Sequence, residues 1–185
     1  KLMGLAPYGK AIYEKKILDE LVYLYEDGSF EINKKYFNFY NNKSIITNEL
    51  QNFFSIKKRN NKDKIIDIHC NIAASIQMVL EKIIFKMISY HLKEYNTENI
   101  ILAGGVALNC IANGKIEREF NKNVHIFPSP GDSGNSYGSA AYATFTSQSF
   151  IKTERSQIEN VNFGPSYNDK DTDIDSLIKI FNLNF

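Results

Sequence analysis

The sequence predicts an α/β fold on a mixed sheet, with its elements in the order β-β-β-α-β-α-β-α. Three observations predict it. Residues 22–40 alternate apolar and polar side chains around an Asp27-Gly28 pair, the pattern of a hairpin. From Ile65 to Glu94, apolar residues recur at steps of three and four, the pattern of one long helix. Two short apolar runs follow, 99–103 and 124–127, each leading into helical spacing. Strands that alternate with helices pair in parallel through crossovers.

Taken in order, KLMGLAPYGK carries Gly4, Pro7 and Gly9, so it is a loop or tight turn. AIYEKKILDEL reads as a short helix. In LVYLYEDGSFEINKKYFNFY, Val22 and Leu24 alternate with Tyr23 and Tyr25, and Phe30 and Ile32 alternate on the return. A third strand is expected over 36–40. Residues 41–64, rich in Asn and Lys, read as a surface connection with room for one short helix and for disorder. The long helix carries its apolar stripe on Ile68, Ile72, Ile76, Leu80, Ile83 and Met87. The strand at 99–103 is continuous apolar, the type buried on both faces. A helix is expected over 107–120, a strand over 124–127, a loop at PSPGDSGNSYG and a helix of small residues over 137–146. The tail, 151–185, reads as a polar connector, with an ordered turn at NFGPSYNDKD and a last short helix at DIDSLIKIF. This element order is that of the ribonuclease-H-like half of the actin-like ATPase and sugar-kinase architecture. Residues 1–150 are then one lobe and 151–185 a connector.

The bulk numbers narrow the function. The 185 residues are 43% hydrophobic and 13% aromatic, enough for a real core. Lys and Arg number 22 against 21 Asp and Glu, a net charge of +1, which gives no electrostatic case for nucleic acid or an anionic membrane. The two cysteines, Cys70 and Cys110, are expected as reduced thiols of a cytoplasmic protein. No apolar run approaches the length of a membrane span, and no signal peptide is apparent. The chain opens without Met, and is expected to be a fragment carrying part of a site.

Two loops carry the candidate chemistry. In ILAGGVALNCIANGKI, Gly104 and Gly105 stand where a strand turns into a helix. The carboxyl end of a strand in an open α/β sheet opens on a crevice. Paired glycines let the backbone approach something flat or anionic, and a helix N-terminus offers N–H groups to a phosphate. A tight strand-to-helix turn accounts for the same glycines. PGDSG, 130–134, also lies between a strand and a helix, on the rim shared with the first loop if the two strands are neighbours. Asp132 suits a metal there, or an N-cap for the helix near Tyr137.

Taken together, KLMGLAPYG, NIAASIQ, NIILAGGVALNCIANGKI, PSPGDSGNSYGSAA and FGPSY, in this order and spacing, resemble the O-carbamoyltransferases of nodulation and antibiotic biosynthesis. The resemblance leaves out only 10–65 and the last dozen residues. It implies the second lobe of an actin-like ATPase domain, followed by a connector toward a separate carbamoyl-phosphate-activating domain. It implies a reaction in which ATP and carbamoyl phosphate form carbamoyl-adenylate, whose carbamoyl group passes to a hydroxyl of a sugar or natural product. It further implies that Gly104, Gly105, Val106 and Asn109 line the nucleotide, with Gly4 and Tyr8 on its other side. Asp132 would bind iron or another divalent metal, together with histidines absent from this chain. The first lobe and the second domain are absent too, so the chain alone is expected to be inactive.

No general base is evident. His69, His91 and His125 are expected in structural roles. Gln77 and Glu81, one turn apart on the long helix, are either a solvated face or a polar contact with the twin-glycine loop. Two alternatives stand beside the transferase. One is a relative of the tRNA threonylcarbamoyl-adenosine synthase, with a nucleic-acid partner. The other is a non-catalytic, nucleotide-binding actin-like lobe.

Overall fold

A computed structural model describes residues 2–40 and 44–146 of the chain. They fall into two compact units, Lys1–Asn135 and Ser136–Phe185. The first unit is built on one long helix. α1 (Leu2–Leu5) runs into a 3-10 turn, Ala6–Tyr8, and both pack against that helix. α2 (Glu14–Lys16) continues as a π-helical turn, Ile17–Leu21, which ends in β1 (Val22–Leu24). β1 pairs antiparallel with β2 (Phe30–Ile32), with Tyr23 opposite Glu31. α3 (Asn48–Phe53) is N-capped by Thr47, whose hydroxyl accepts from the Leu50 N–H at 3.2 Å. α4 (Asp67–Glu94) is the long helix, and the Ile66 N–H at its start donates to His69 Nδ1 at 3.0 Å. β3 (Asn99–Leu102) and β4 (Asn123–Ile126) pair in parallel, separated in sequence by α5 (Cys110–Phe120). α6 (Asn135–Thr146) follows and lies almost wholly in the second unit.

The predicted α/β class holds, and the mixed sheet does not. Among the described residues there are two separate two-stranded sheets, β1–β2 and β3–β4. The expected third strand over 36–40 is instead a 3-10 turn, Lys34–Tyr36, followed by a single antiparallel bridge from Phe37 to Ile46. Asn33 accounts for the loss. Its Oδ1 accepts from the Lys35 N–H at 3.1 Å and its Nδ2 donates to the Glu20 carbonyl at 3.0 Å, so the side chain turns the backbone where a strand would run straight. The helix expected over 107–120 begins later. A 3-10 turn, Gly105–Leu108, comes first, and Asn109 (φ −81°, ψ 84°) breaks from it before α5 starts. β3 is not buried on both faces either: Ile101 is 79% exposed, because no described element covers that side. The connector and the helix expected within 151–185 lie outside the described residues.

The main core lies where α4 meets the hairpin, the π-helical turn and α3. Ile17, Leu21, Tyr36, Leu50, Phe53, Phe54, Val79 and Ile83 form one buried cluster. Phe53 stacks edge-on against Tyr36 and Phe54. Burying one such side chain stabilises by about 1.5–3 kcal/mol. Of the predicted stripe on α4, Ile83 is buried in this cluster, and Ile72 and Ile76 pack against its side. Ile76, Leu80, Ile83 and Met87 also line an apolar cavity of about 620 Å³ between α4, the hairpin and the end of β3. α4 buries a second face as well, formed by Cys70, Ala73, Gln77 and Glu81. That face positions the candidate site.

Candidate functional site

Parallel pairing puts the carboxyl ends of β3 and β4 on one edge, since Leu102 lies beside Ile126. The loops that leave those ends meet. The Gly104 N–H donates to the Pro130 carbonyl at 2.8 Å. Gly104 has φ 90° and ψ 170°, a region that only glycine enters without strain. Its carbonyl then accepts from the Ala107 N–H at 3.0 Å, closing the turn. A Cβ placed on Gly104 or on Gly105 would find nothing within 4 Å. A Cβ on Gly131 would lie 3.8 Å from the Gly105 Cα, so the two glycine loops touch. Gly104 thus serves the turn, whereas Gly105 borders open space.

The second loop is closed by its own hydrogen bonds. Asp132–Gly134 is a 3-10 turn closed by the Gly134 N–H on the Gly131 carbonyl at 3.0 Å. Ser129 and Ser133 share a hydroxyl hydrogen bond of 2.7 Å across its base. Asp132 is exposed, and its carboxylate has no hydrogen bond or ion pair among the described residues. The expected N-cap role is therefore not what holds it. Nor do the described residues fit a self-contained metal site: they contain no group of three or more His, Cys, Asp or Glu side chains placed to hold an ion. Asp132 supplies one carboxylate, and no chemistry is assigned to a metal here.

Asn109 stands at the far end of the twin-glycine turn and is fully engaged with protein. Its Oδ1 accepts from the Ala112 N–H at 3.1 Å, which caps α5. Its side chain also exchanges two hydrogen bonds with Gln77 on α4: Asn109 Nδ2 to Gln77 Oε1 at 2.8 Å, and Gln77 Nε2 to Asn109 Oδ1 at 3.2 Å. Gln77 Nε2 reaches Glu81 Oε1 at 2.9 Å, and Lys115 on α5 holds Glu81 Oε2 at 2.5 Å. Gln77 and Glu81 are 5% and 4% exposed, so they are not a solvated face. A buried carboxylate needs such partners, because water no longer solvates it.

The same stretch of α4 holds the N-terminal segment. Asn71 Oδ1 accepts from the Lys10 N–H at 2.8 Å, and Ser75 Oγ accepts from the Tyr13 N–H at 3.0 Å. Gly9 sits against the α4 backbone so closely that a Cβ would lie 2.1 Å from the Cys70 carbonyl carbon and oxygen. The polar residues of NIAASIQ thus tie KLMGLAPYGK on one side and the twin-glycine turn on the other. Met3 Sδ lies 3.9 Å from Cys110 Sγ, joining α1 to the first residue of α5. A cavity of about 250 Å³ remains between Pro7, Gly9, Gln77, Glu81, Ile111 and Lys115.

The predicted site residues divide accordingly. Gly104, Gly105 and Val106 stand on the rim beside Asp132, and Val106 is 53% exposed. Asn109 lies behind them, facing α4. Gly4 lines a different groove with Arg59, Ile65 and His69, while Tyr8 is 79% exposed. Asn71, Ser75 and Lys115 were not legible as site residues. The spacing of four between Asn71 and Ser75 put them on one helix face, yet nothing in the sequence said what that face meets. The histidines have structural partners: His69 accepts at the start of α4, and exposed His125 Nε2 pairs with Asn99 Oδ1 at 3.0 Å. Both cysteines are free thiols. Among the described residues no helix is long and apolar enough to cross a membrane.

Known proteins share this arrangement of sequence. An uncharacterized protein of Synechocystis sp., sll1178, is 42% identical over 141 residues, 76% of this chain and 23% of its own length. Nodulation protein NolNO of Sinorhizobium fredii is 28% identical over 166 residues, 89% of this chain and 22% of its own length. Nodulation protein NolO of Bradyrhizobium diazoefficiens is 26% identical over 166 residues, 89% of this chain and 28% of its own length. The chain spans about a quarter of the length of these relatives. Residues 1–141, which hold both glycine loops and the whole of α4, match the family described as Carbamoyltransferase N-terminus. The chain belongs to that family.

Proposed function

We propose that the chain supplies the nucleotide side of an ATP-dependent O-carbamoyltransferase. In this reading water attacks the carbonyl of carbamoyl phosphate and phosphate leaves; an oxygen of the resulting carbamate attacks the α-phosphorus of ATP and displaces pyrophosphate. A hydroxyl of a sugar or natural product then attacks the carbonyl of the carbamoyl-adenylate, and AMP leaves. The observation that carries the proposal is the pair of touching glycine loops at the carboxyl edge of β3 and β4, with open space beside Gly105. Ligands of open α/β sheets bind at such an edge.

The residues take roles that follow from their places. The backbone at Gly104 and Gly105 admits a flat or anionic group at contact distance, because no Cβ stands in the way. Val106, half exposed, offers an apolar contact to a base or ribose. Asp132, exposed on the second loop, offers a carboxylate that has no hydrogen bond or ion pair among the described residues. Gly4 lines a separate groove and Tyr8 is exposed, so their role on the opposite side of the nucleotide rests on the family resemblance alone. Activation of carbamoyl phosphate and binding of the acceptor fall to residues outside this chain, so the chain alone is expected to show no turnover.

The test uses the intact enzyme with ATP and labelled carbamoyl phosphate, and reads AMP release and labelled acceptor. The Cβ that Gly105→Val adds meets open space. The thermal midpoint is expected to hold while the KM for ATP rises about tenfold or more, the scale of loss when a bound group is displaced from its productive geometry. An unchanged KM for ATP would overturn the reading.

A further inference from the structure

The polar pair between α4 and the twin-glycine turn is buried and specific, and the activity proposed for the site does not by itself require it. Gln77 spends both ends of its amide on this contact. Its carbonyl accepts from Asn109 Nδ2, and its N–H groups reach Asn109 Oδ1 and Glu81 Oε1. The partners lie 32 positions apart, so the bond is tertiary. Asn109 in turn ends the turn Gly105–Leu108 and caps α5. A shift of Gln77 must therefore move the turn, the cap, or both.

The orientation of the amide is fixed from behind. Glu81 accepts at both oxygens, from Lys115 Nζ at Oε2 and from Gln77 Nε2 at Oε1, so the Gln77 N–H faces it and the Gln77 oxygen faces Asn109. That leaves the Asn109 Nδ2 one defined acceptor and points its Oδ1 at the α5 N-terminus. The relay Lys115–Glu81–Gln77–Asn109 has one arrangement in which every member is satisfied, and no buried side-chain polar atom among the described residues lacks a partner.

We propose that Gln77 is a positioning residue for nucleotide binding, acting through Asn109 to hold the Gly104–Gly105 turn against the Asp132 loop. The inference rests on the reading of that turn as the nucleotide site. It assigns Gln77 no contact with the nucleotide.

Three substitutions in the intact enzyme test it, each read by thermal midpoint, kcat, and KM for ATP and for carbamoyl phosphate separately. Gln77→Met keeps the volume and removes the amide. Asn109→Asp keeps an oxygen to cap α5 but removes the donor to Gln77, so it tests the pair in a second way should the first variant fold poorly. Leu50→Ala is the control: it opens a cavity in the core on α3 and touches no member of the relay. The expected result is a rise of about tenfold in the KM for ATP in both relay variants, the scale seen when a supporting residue is lost. The KM for carbamoyl phosphate stays fixed, and Leu50→Ala lowers the thermal midpoint without moving either KM. If Gly105→Val raises the KM for ATP while the two relay variants do not, the positioning role is wrong and the nucleotide reading stands. If Gly105→Val has no effect either, both fall. If Leu50→Ala raises the KM for ATP as much as Gln77→Met, the effect is one of stability and the proposal is overturned.

Discussion

Gly104 donates its backbone N–H to the Pro130 carbonyl at 2.8 Å, and this single bond fastens the loop after β3 to the loop after β4. It requires the positive-φ backbone of Gly104, at φ 90°. The neighbouring Gly105 has no such requirement. The two adjacent glycines should thus respond oppositely to the same change. Gly104→Ala forces a Cβ into a region nearly reserved for glycine and is expected to cost about 1–3 kcal/mol. Gly105→Ala meets open space and is expected to be neutral or to stabilise by up to about 1 kcal/mol, through the unfolded chain. Urea denaturation of the two variants checks the difference. Equal losses would mean that the space beside Gly105 is filled within the fold.

Gly9 is a glycine for a third reason, close approach. A Cβ there would lie 2.1 Å from the Cys70 carbonyl carbon and oxygen, which are backbone atoms and cannot rotate aside. Gly9→Ala is expected to lift KLMGLAPYGK from α4, at a cost of about 1–3 kcal/mol or more. The buried Cys70 reports the movement directly. Its labelling by a thiol reagent under native conditions should speed up in the variant, relative to exposed Cys110 in the same sample. Unchanged labelling of Cys70 would show that the segment stays docked.

Local pattern made some of this legible and tertiary partnership hid the rest. α4 announced itself because its apolar residues repeat at helical steps over the whole element. The hairpin did so through Asp27-Gly28 and alternation. The twin-glycine turn was visible because two adjacent glycines end an apolar run and free the backbone to turn there. The third strand failed because the side chain of Asn33 turned the backbone, an effect that alternation cannot register. Gln77 and Glu81 left two readings open, a solvated pair or a polar contact with the twin-glycine loop, because a polar i, i+4 spacing on a helix fits either, and the structure bears out the second for Gln77. Their burial depends on Lys115 and Asn109, more than thirty positions away, and a single sequence does not report such pairing.

Acid should loosen the hairpin first at Asp27. The hydroxyl and N–H of Ser29 donate to its carboxylate at 2.6 and 2.9 Å, and the side-chain bond is the larger cause that holds its pKa below the usual 3.8. The sign follows from the lowered folded value. The contribution to stability is full above the unfolded pKa and is lost as pH falls through the folded one. Asp27→Asn should remove this step from the acid limb, and Ser29→Ala, which keeps the backbone N–H donor, should shrink it and shift it to higher pH. Native hydrogen exchange of the hairpin amides, followed from neutral pH down to about 3, measures it. A hairpin whose protection falls with the same acid midpoint in Ser29→Ala as in the parent would exclude the role.

Glu81 gives the sharpest test of the buried relay. Its side chain is 5% exposed and its partner Lys115 is 40% exposed, so the carboxylate depends on an ammonium that water still reaches. Lys115→Met leaves the charge facing a single N–H of Gln77, and is expected to cost up to about 3 kcal/mol, the lower end for an orphaned buried charge given the partner's exposure. Glu81→Gln removes the charge and keeps an oxygen for Gln77. With Glu81→Gln in place, Lys115→Met should cost less than about 1 kcal/mol, since an exposed lysine then loses only a neutral contact. Chemical denaturation of the four proteins closes a double-mutant cycle. A coupling near zero would mean that the Lys115–Glu81 contact does not hold in solution, and that the Gln77 amide is oriented by something other than that pair.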